Sequence, residues 1–285
     1  MKLNPHHNLG QLLSSIQRKS LSVCTPSFIN KNGYNKIQIG TISSWFSLTY
    51  GISKFVGGIL SDIVPSDLLF GVSMLFASIA LLCFSYCNSL SSFCILWAIH
   101  GLCQGIGGPA LTKYVCDNYT NTNTIISTDT VWSILVCGSN LGYLFGPFIL
   151  IPLITNDQWQ HCFKVLGMIG VFISITIYLL IYKHNGNTIV MKDRSSNTTN
   201  TNKRFFAIFT TLQFWLTTIS SALTYLALKT MADWTALYLV EYNGSSILIA
   251  TELMVYNEVG GIFGTFICGV LSVYIGRYYY SSSLY

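Results

Sequence analysis

The sequence predicts an all-α polytopic membrane protein with about eight hydrophobic spans. Three observations carry that reading. Only 9% of the 285 residues are charged, against about 25% in a soluble domain, too few to cover a water-facing surface of this size. Mean hydropathy is +0.52. The apolar residues cluster in runs of roughly 20 or more, the length that crosses a bilayer core.

A weak, half-polar segment from about Leu9 to Ile29 opens the series. Clearer spans follow at 37–60, 68–87, 90–114, 127–154, 162–182, 207–240 and 247–274. Met1 to Gln17 holds Pro5, His6, His7 and Asn8 without a continuous apolar core, unlike a signal peptide. Connectors are short except at 184–204, which is rich in Asn and Thr. It holds Lys192, Arg194, Lys203 and Arg204, with Lys183 at its threshold. Such a stretch reads as a flexible linker between two membrane halves. The expected organisation is a six-helix N-terminal half over 1–183, its first helix incomplete. A cytoplasmic linker over 184–206 and the first two helices of a second half over 207–285 follow. A sequence echo supports two halves: Val56-Gly-Gly-Ile-Leu-Ser-Asp closes the second span and Cys268-Gly-Val-Leu-Ser-Val the eighth.

The formal charge of +5 would suggest a nucleic-acid partner in a soluble chain. Here the bases collect mainly in the linker, so the positive-inside rule explains them and no nucleic acid is expected. The linker, the N-terminus and the turn Ser61–Asp67 then face the cytoplasm. The turns near Asn88, Asn156 and Asn243 face the other side, which exposes the sequon Asn243-Gly-Ser to glycosylation. Nine cysteines lie in or near apolar spans, with neither a CxxC pair nor a Cys/His ligand set. The expectation is small buried hydrophobes, with no metal and no cofactor. No Walker loop and no Ser/His/Asp set stands out, so neither an ATP-driven pump nor an enzyme is expected.

Ionisable groups inside spans are the strongest functional signal, because each costs about 2.5–3.5 kcal/mol at the bilayer centre on insertion scales. They are Arg18, Lys19, Lys54, His100, Lys113, Lys229, Asp233, Glu252 and Glu258. Lys113 lies near a cytoplasmic end, where it can snorkel; Glu252 lies near the far end of its span, and His100 reads as a packed helix residue. Among the rest, Arg18, Lys19, Lys54 and Lys229 outnumber Asp233 and Glu258. A cavity lined this way attracts anions, and a guanidinium can bond two phosphate oxygens at once. The alternative is that these groups pair with one another across helices. Gly142-Tyr-Leu-Phe-Gly146-Pro147 and the run Gly101, Gly105, Gly107, Gly108, Pro109 read as close-packing surfaces. Trp45, Tyr50 and Tyr225 fit either a sugar path or helix packing.

Several motifs then share one order: Arg18-Lys19 with Pro26 downstream, Tyr50-Gly-Ile-Ser-Lys54-Phe, Gly58-Ile-Leu-Ser-Asp62 and Gly101-Leu-Cys-Gln-Gly-Ile-Gly-Gly-Pro109. Asn140 with Gly146-Pro147, Lys229 ahead of Asp233-Trp234, and Glu258-Val-Gly-Gly261 complete the series. From about Arg18 to Gly276 the chain resembles the organophosphate:phosphate antiporters of the major facilitator superfamily. It is most similar to their glucose-6-phosphate translocase branch of the endoplasmic-reticulum membrane.

The resemblance implies a major facilitator fold with about eight of its twelve transmembrane helices in this sequence. It implies that Arg18 and a base on the seventh helix, here Lys229, hold a phosphate group, with Tyr50 and Lys54 near the binding cavity. Lys19, Asp233 and Glu258 match a charge network linking the halves. The implied activity is exchange of a sugar phosphate, glucose-6-phosphate in this branch, for inorganic phosphate within a lipid bilayer. The chain departs from the family at Ser139, where the family has a histidine that the glucose-6-phosphate branch also lacks. Gly108 replaces an aromatic, Val273 replaces an acid, and Lys229 stands four rather than five residues before Asp233. Rival readings are a carrier of glycerol-3-phosphate or another organophosphate, and a transport-inactive remnant or incomplete reading frame. With eight spans the chain as written is expected not to transport.

The topology is testable with sealed vesicles of known sidedness. Protease added to the cytoplasmic face should cut within 184–204 and leave Asn243 protected; protection of the linker from that face would reverse the assignment.

Overall fold

A computed structural model describes residues 5–119, 128–150, 152–154, 159–185, 210–244 and 255–264, with isolated helical positions beyond Gly244. Seven long helices result: α1 Pro5–Asn32, α2 Lys36–Ile63, α3 Ser66–Phe84, α4 Leu90–Tyr119, α5 Thr128–Leu150, α6 Trp159–Asn185 and α7 Leu212–Tyr242. A further helical stretch runs over 255–264, and the described residues contain no strand. The chain divides into two compact units, Met1–Met191 with Val255–Tyr285, and Lys192–Met254. The second described helix pair expected beyond the linker is therefore split between units: α7 belongs to one and 255–264 to the other. The linker bases Lys192, Arg194, Lys203 and Arg204 lie outside the described residues.

Among the described residues four stretches are long and apolar enough to cross a membrane by composition: Ser66–Phe84, Leu90–Asn118, Ile134–Ile154 and Trp159–Leu180. The half-polar first segment is longer than its hydropathy predicts. It is a 28-residue helix, about 42 Å long at 1.5 Å per residue, enough for a ~30 Å hydrocarbon core. Its neighbours explain why. α1 packs against α5, α6 and α3, so both its apolar and its polar side chains leave solvent and lipid. Leu13, Ile16, Leu21, Cys24 and Phe28 are buried, and so are Ser15, Gln17, Lys19, Ser20 and Thr25. Short hydroxyl side chains bond back to the helix, as Ser15 does to the Gln11 carbonyl (3.0 Å) and Thr25 to that of Leu21 (2.8 Å). A backbone-satisfied hydroxyl adds little polarity to a helix surface.

In the first unit α1, α5, α4, α3 and α6 touch in a closed ring, and α2 lies along α4. Glycine sets the closest of these approaches. A Cβ on Gly101 would stand 2.7 Å from the Phe46 carbonyl oxygen, and one on Gly57 would stand 2.8 Å from Ile106 Cα. A Cβ on Gly105 would collide with Ser53 Oγ and the Tyr50 backbone. With the backbones this near, Thr49 Oγ1 reaches across to the Ala98 carbonyl at 2.8 Å.

The two ends of this unit are held differently. At one end Phe28, Phe84, Phe93, Trp97, Trp159 and Phe163 pack ring against ring. Trp159 Nε1 donates to Asn32 Oδ1 (2.9 Å) and the Tyr34 hydroxyl to the Asn88 carbonyl (3.1 Å). Gly33, at φ 67°, reverses the chain there, and Asn35 with Gln38 forms a capping box that starts α2. The opposite end is polar. His7 Nε2 lies 3.1 Å from Asp67, under the rings of Phe70 and Tyr114. Lys113 does more than snorkel: it bridges Asp62 (3.4 Å) and Asp117 (3.6 Å).

The α2–α4 contact should be intolerant of volume. Gly105→Leu is expected to lose about 1–3 kcal/mol, an overpacking cost, whereas Gly108→Ala, with open space around the added methyl, should be neutral. Thermal unfolding of the two variants in detergent would show the difference; equal midpoints would contradict it.

Candidate functional site

Arg18 and Lys19 sit at the midpoint of α1, about 20 Å from either helix end. Neighbouring helix positions do not face the same way, and the two bases go to different surroundings.

Arg18 is half-buried. Nε donates to the Ser14 carbonyl (3.3 Å), Nη1 to the Tyr50 hydroxyl (3.3 Å) and Nη2 to Ser15 Oγ (3.1 Å). The Tyr50 and Tyr143 rings lie 6.0 and 5.5 Å from Cζ, within cation–π range. These three hydrogen-bond acceptors are neutral and orient the guanidinium. Lys54, one turn along α2, places Nζ 4.7 Å from the Tyr50 ring centre. Tyr50 thus touches both cations, and it stacks on Phe46 (5.6 Å, 14°), which is buried against Trp97 and His100.

A small cavity of about 30 Å³ opens beside Arg18, lined by Gln11, Ser14, Tyr50, Ser73, Gln104 and Gly107, among others. A polar network forms its wall. His100 Nδ1 meets the Ala77 carbonyl (3.0 Å), an obligatory acceptor, so Nδ1 carries the proton and Nε2 accepts from Gln104 Nε2 (3.2 Å). Gln104 Nε2 also lies 3.2 Å from Gln17 Oε1, and Gln17 donates to Ser78 Oγ (3.0 Å). Gln104 Oε1 is buried and meets no donor among the described residues.

Lys19 turns elsewhere. It is 5% exposed, and Nζ forms an ion pair with Glu258 of the 255–264 stretch at 3.5 Å. An ammonium this deep requires such a partner, because an unpaired charge is costly in hydrocarbon.

The structure therefore brings Arg18, Tyr50 and Lys54 together in one place and Lys19 and Glu258 in another. Lys229 and Asp233 stand one turn apart on α7, with Lys229 half-buried, in the second unit; the Asp233 side chain lies outside the described residues. Three contributors went unnoticed as site residues in the sequence. Gln104 and Ser15 resemble ordinary helix polar residues, and Tyr143 sat inside a motif read for its glycines.

Among the described residues, a helical bundle with apolar stretches of membrane-crossing length around a half-buried, oriented guanidinium defines a class: a polytopic membrane protein. The chain belongs to the Major Facilitator Superfamily, whose family model matches residues 8–283. It is 24% identical to a probable hexose phosphate transport protein of Chlamydia trachomatis, over 94% of this chain and 63% of that one. It is 22% identical to the membrane sensor protein UhpC of Salmonella typhimurium (92% and 61%) and to a glycerol-3-phosphate transporter of Bacillus subtilis (90% and 61%). These names agree with the organophosphate antiporter motifs in the sequence. The chain spans less than two thirds of the length of these relatives. A bacterial homologue of the human lysosomal transporter Spinster, inward-facing and unoccupied, superposes with a TM-score of 0.74 at 17% identity, covering 94% of this chain and 61% of that one.

The buried pair should show the asymmetry of removing one charge or two. Glu258→Leu is expected to cost about 3–5 kcal/mol, while Lys19→Met with Glu258→Leu should recover most of it. Expression and thermal stability of the single and double variants would test this; a double variant no better than the single would count against a direct pair.

Proposed function

We propose that the chain carries organophosphates across a membrane, holding the phosphate group at Arg18 and exchanging a sugar phosphate for inorganic phosphate by alternating access. The observation that carries the reading is the setting of Arg18. A guanidinium at the midpoint of a buried helix, oriented by Ser14, Ser15 and Tyr50, borders a cavity. A planar fork of donors suits phosphate oxygens, and a site at the bilayer midplane suits a carrier that opens to either side. Gln104 Oε1 supplies an acceptor for a substrate hydroxyl beside it. The hexose phosphate and glycerol-3-phosphate transporters among the relatives support the substrate class.

Lys229 is the proposed second phosphate ligand, Lys54 and Tyr50 shape the cavity, and Lys19, Glu258 and Asp233 form the network between an N-terminal half over 1–183 and a second half beginning at 207. The pocket's volume admits about two waters, so the reading requires it to widen around a hexose phosphate. Glucose-6-phosphate is the proposed substrate and the endoplasmic-reticulum membrane the proposed site. The likeness to UhpC favours a second reading, a membrane sensor that binds the same ligands without moving them.

Uptake of labelled glucose-6-phosphate into phosphate-loaded liposomes carrying the protein tests both. In a chain completed to the family's twelve spans, saturable uptake should vanish with Arg18→Ala and fall at least tenfold with Arg18→Lys, because a point charge does not replace a two-pronged contact. Arg18-dependent binding without uptake would select the sensor; undiminished uptake by Arg18→Ala would refute Arg18 as the ligand.

A further inference from the structure

We infer that Tyr143 is a positioning residue of the anion site, a second aromatic wall that holds the Arg18 guanidinium in its phosphate-facing plane. The inference rests on the proposed role of Arg18 and adds to it a residue from α5.

The geometry is specific. Tyr143 lies one helical turn beyond Ser139, and its ring centre is 5.5 Å from Arg18 Cζ. The same guanidinium donates through Nη2 to Ser15 Oγ (3.1 Å), whose own proton goes to the Gln11 carbonyl (3.0 Å).

The adjacent glycine makes this approach possible. A Cβ on Gly142 would collide with the Leu12 carbonyl and stand 2.8 Å from Ser15 Cβ. Only a residue without a side chain lets α5 come near enough for Tyr143 to reach α1. The pair Gly142-Tyr143 thus works as a unit, one residue giving room and the next filling it.

The chemistry follows from the guanidinium's shape. Tyr50 on α2 and Tyr143 on α5 contact it from two different helices. The Tyr143 face attracts the cation without accepting an in-plane N–H group, so it adds a restraint on the guanidinium's plane to the three hydrogen bonds at Ser14, Ser15 and Tyr50. A ligand with a tetrahedral phosphate benefits from a fork whose plane is already set. Lysine, lacking that plane, would gain nothing from being held in one.

Binding of inorganic phosphate to the 285-residue chain in nanodiscs, measured by titration calorimetry, tests this. Tyr143→Leu should raise Kd about tenfold, while Tyr143→Phe, which keeps the ring, should stay within about threefold. In an Arg18→Lys background Tyr143→Leu should have little further effect. Fluorinated phenylalanines at position 143 provide an isosteric series that keeps the packing while weakening the ring's attraction for a cation; Kd should rise stepwise with fluorine number. A flat series, or an equal loss in both backgrounds, would overturn the inference and leave the Arg18 site standing. Phosphate binding that survives Arg18→Ala would instead overturn the site itself.

Discussion

The rest of the first unit depends on one constraint: α1 carries a guanidinium and an ammonium, side by side, at its midpoint. Hydrocarbon does not accept either charge cheaply. α1 therefore needs a protein sheath, which α3, α5 and α6 supply. Its polar side chains in turn need partners: the sheath supplies Ser78 and the Leu166 carbonyl for Gln17 and Ser139 for Gln11, and the 255–264 stretch supplies Glu258 for Lys19. Gly142 and Gly146 of α5 and Gly170 of α6 follow from the same need, since a helix that must be surrounded closely needs neighbours without side chains at the crossing points.

Placing two bases at consecutive positions separates them by the helix geometry itself. Arg18 meets the hydroxyls of Ser15 and Tyr50 and the rings of Tyr50 and Tyr143, while Lys19 meets the Glu258 carboxylate. An ion pair satisfies a buried ammonium.

The two ends of the unit differ in the cost of separating them. The aromatic end, built on Trp159, Phe28 and Phe84, buries large apolar rings that gain nothing from water. The other end is joined by His7 with Asp67 and by Lys113 with Asp62 and Asp117, whose half-exposed members water can solvate. Exposed ion pairs contribute little to stability, so the polar end is the weaker seam.

The sequence by itself determined the all-helical membrane class, four of the membrane-crossing stretches and the family, because runs of apolar residues and sparse charges follow from the bilayer alone. The motif order around Arg18, Tyr50 and Lys54 was legible for the same reason: charges in spans are rare enough to be noticed. Hydropathy undervalued α1, since it assumes lipid neighbours and α1 has protein neighbours. Which face of α1 meets which helix depended on packing. Only the tertiary structure decided that Arg18 and Lys19 part company, that Gln104 holds a buried acceptor beside the cavity, and that Tyr143 reaches across Gly142 to the guanidinium. Those facts depend on residues scores of positions apart meeting in space, and local pattern carries no record of such meetings.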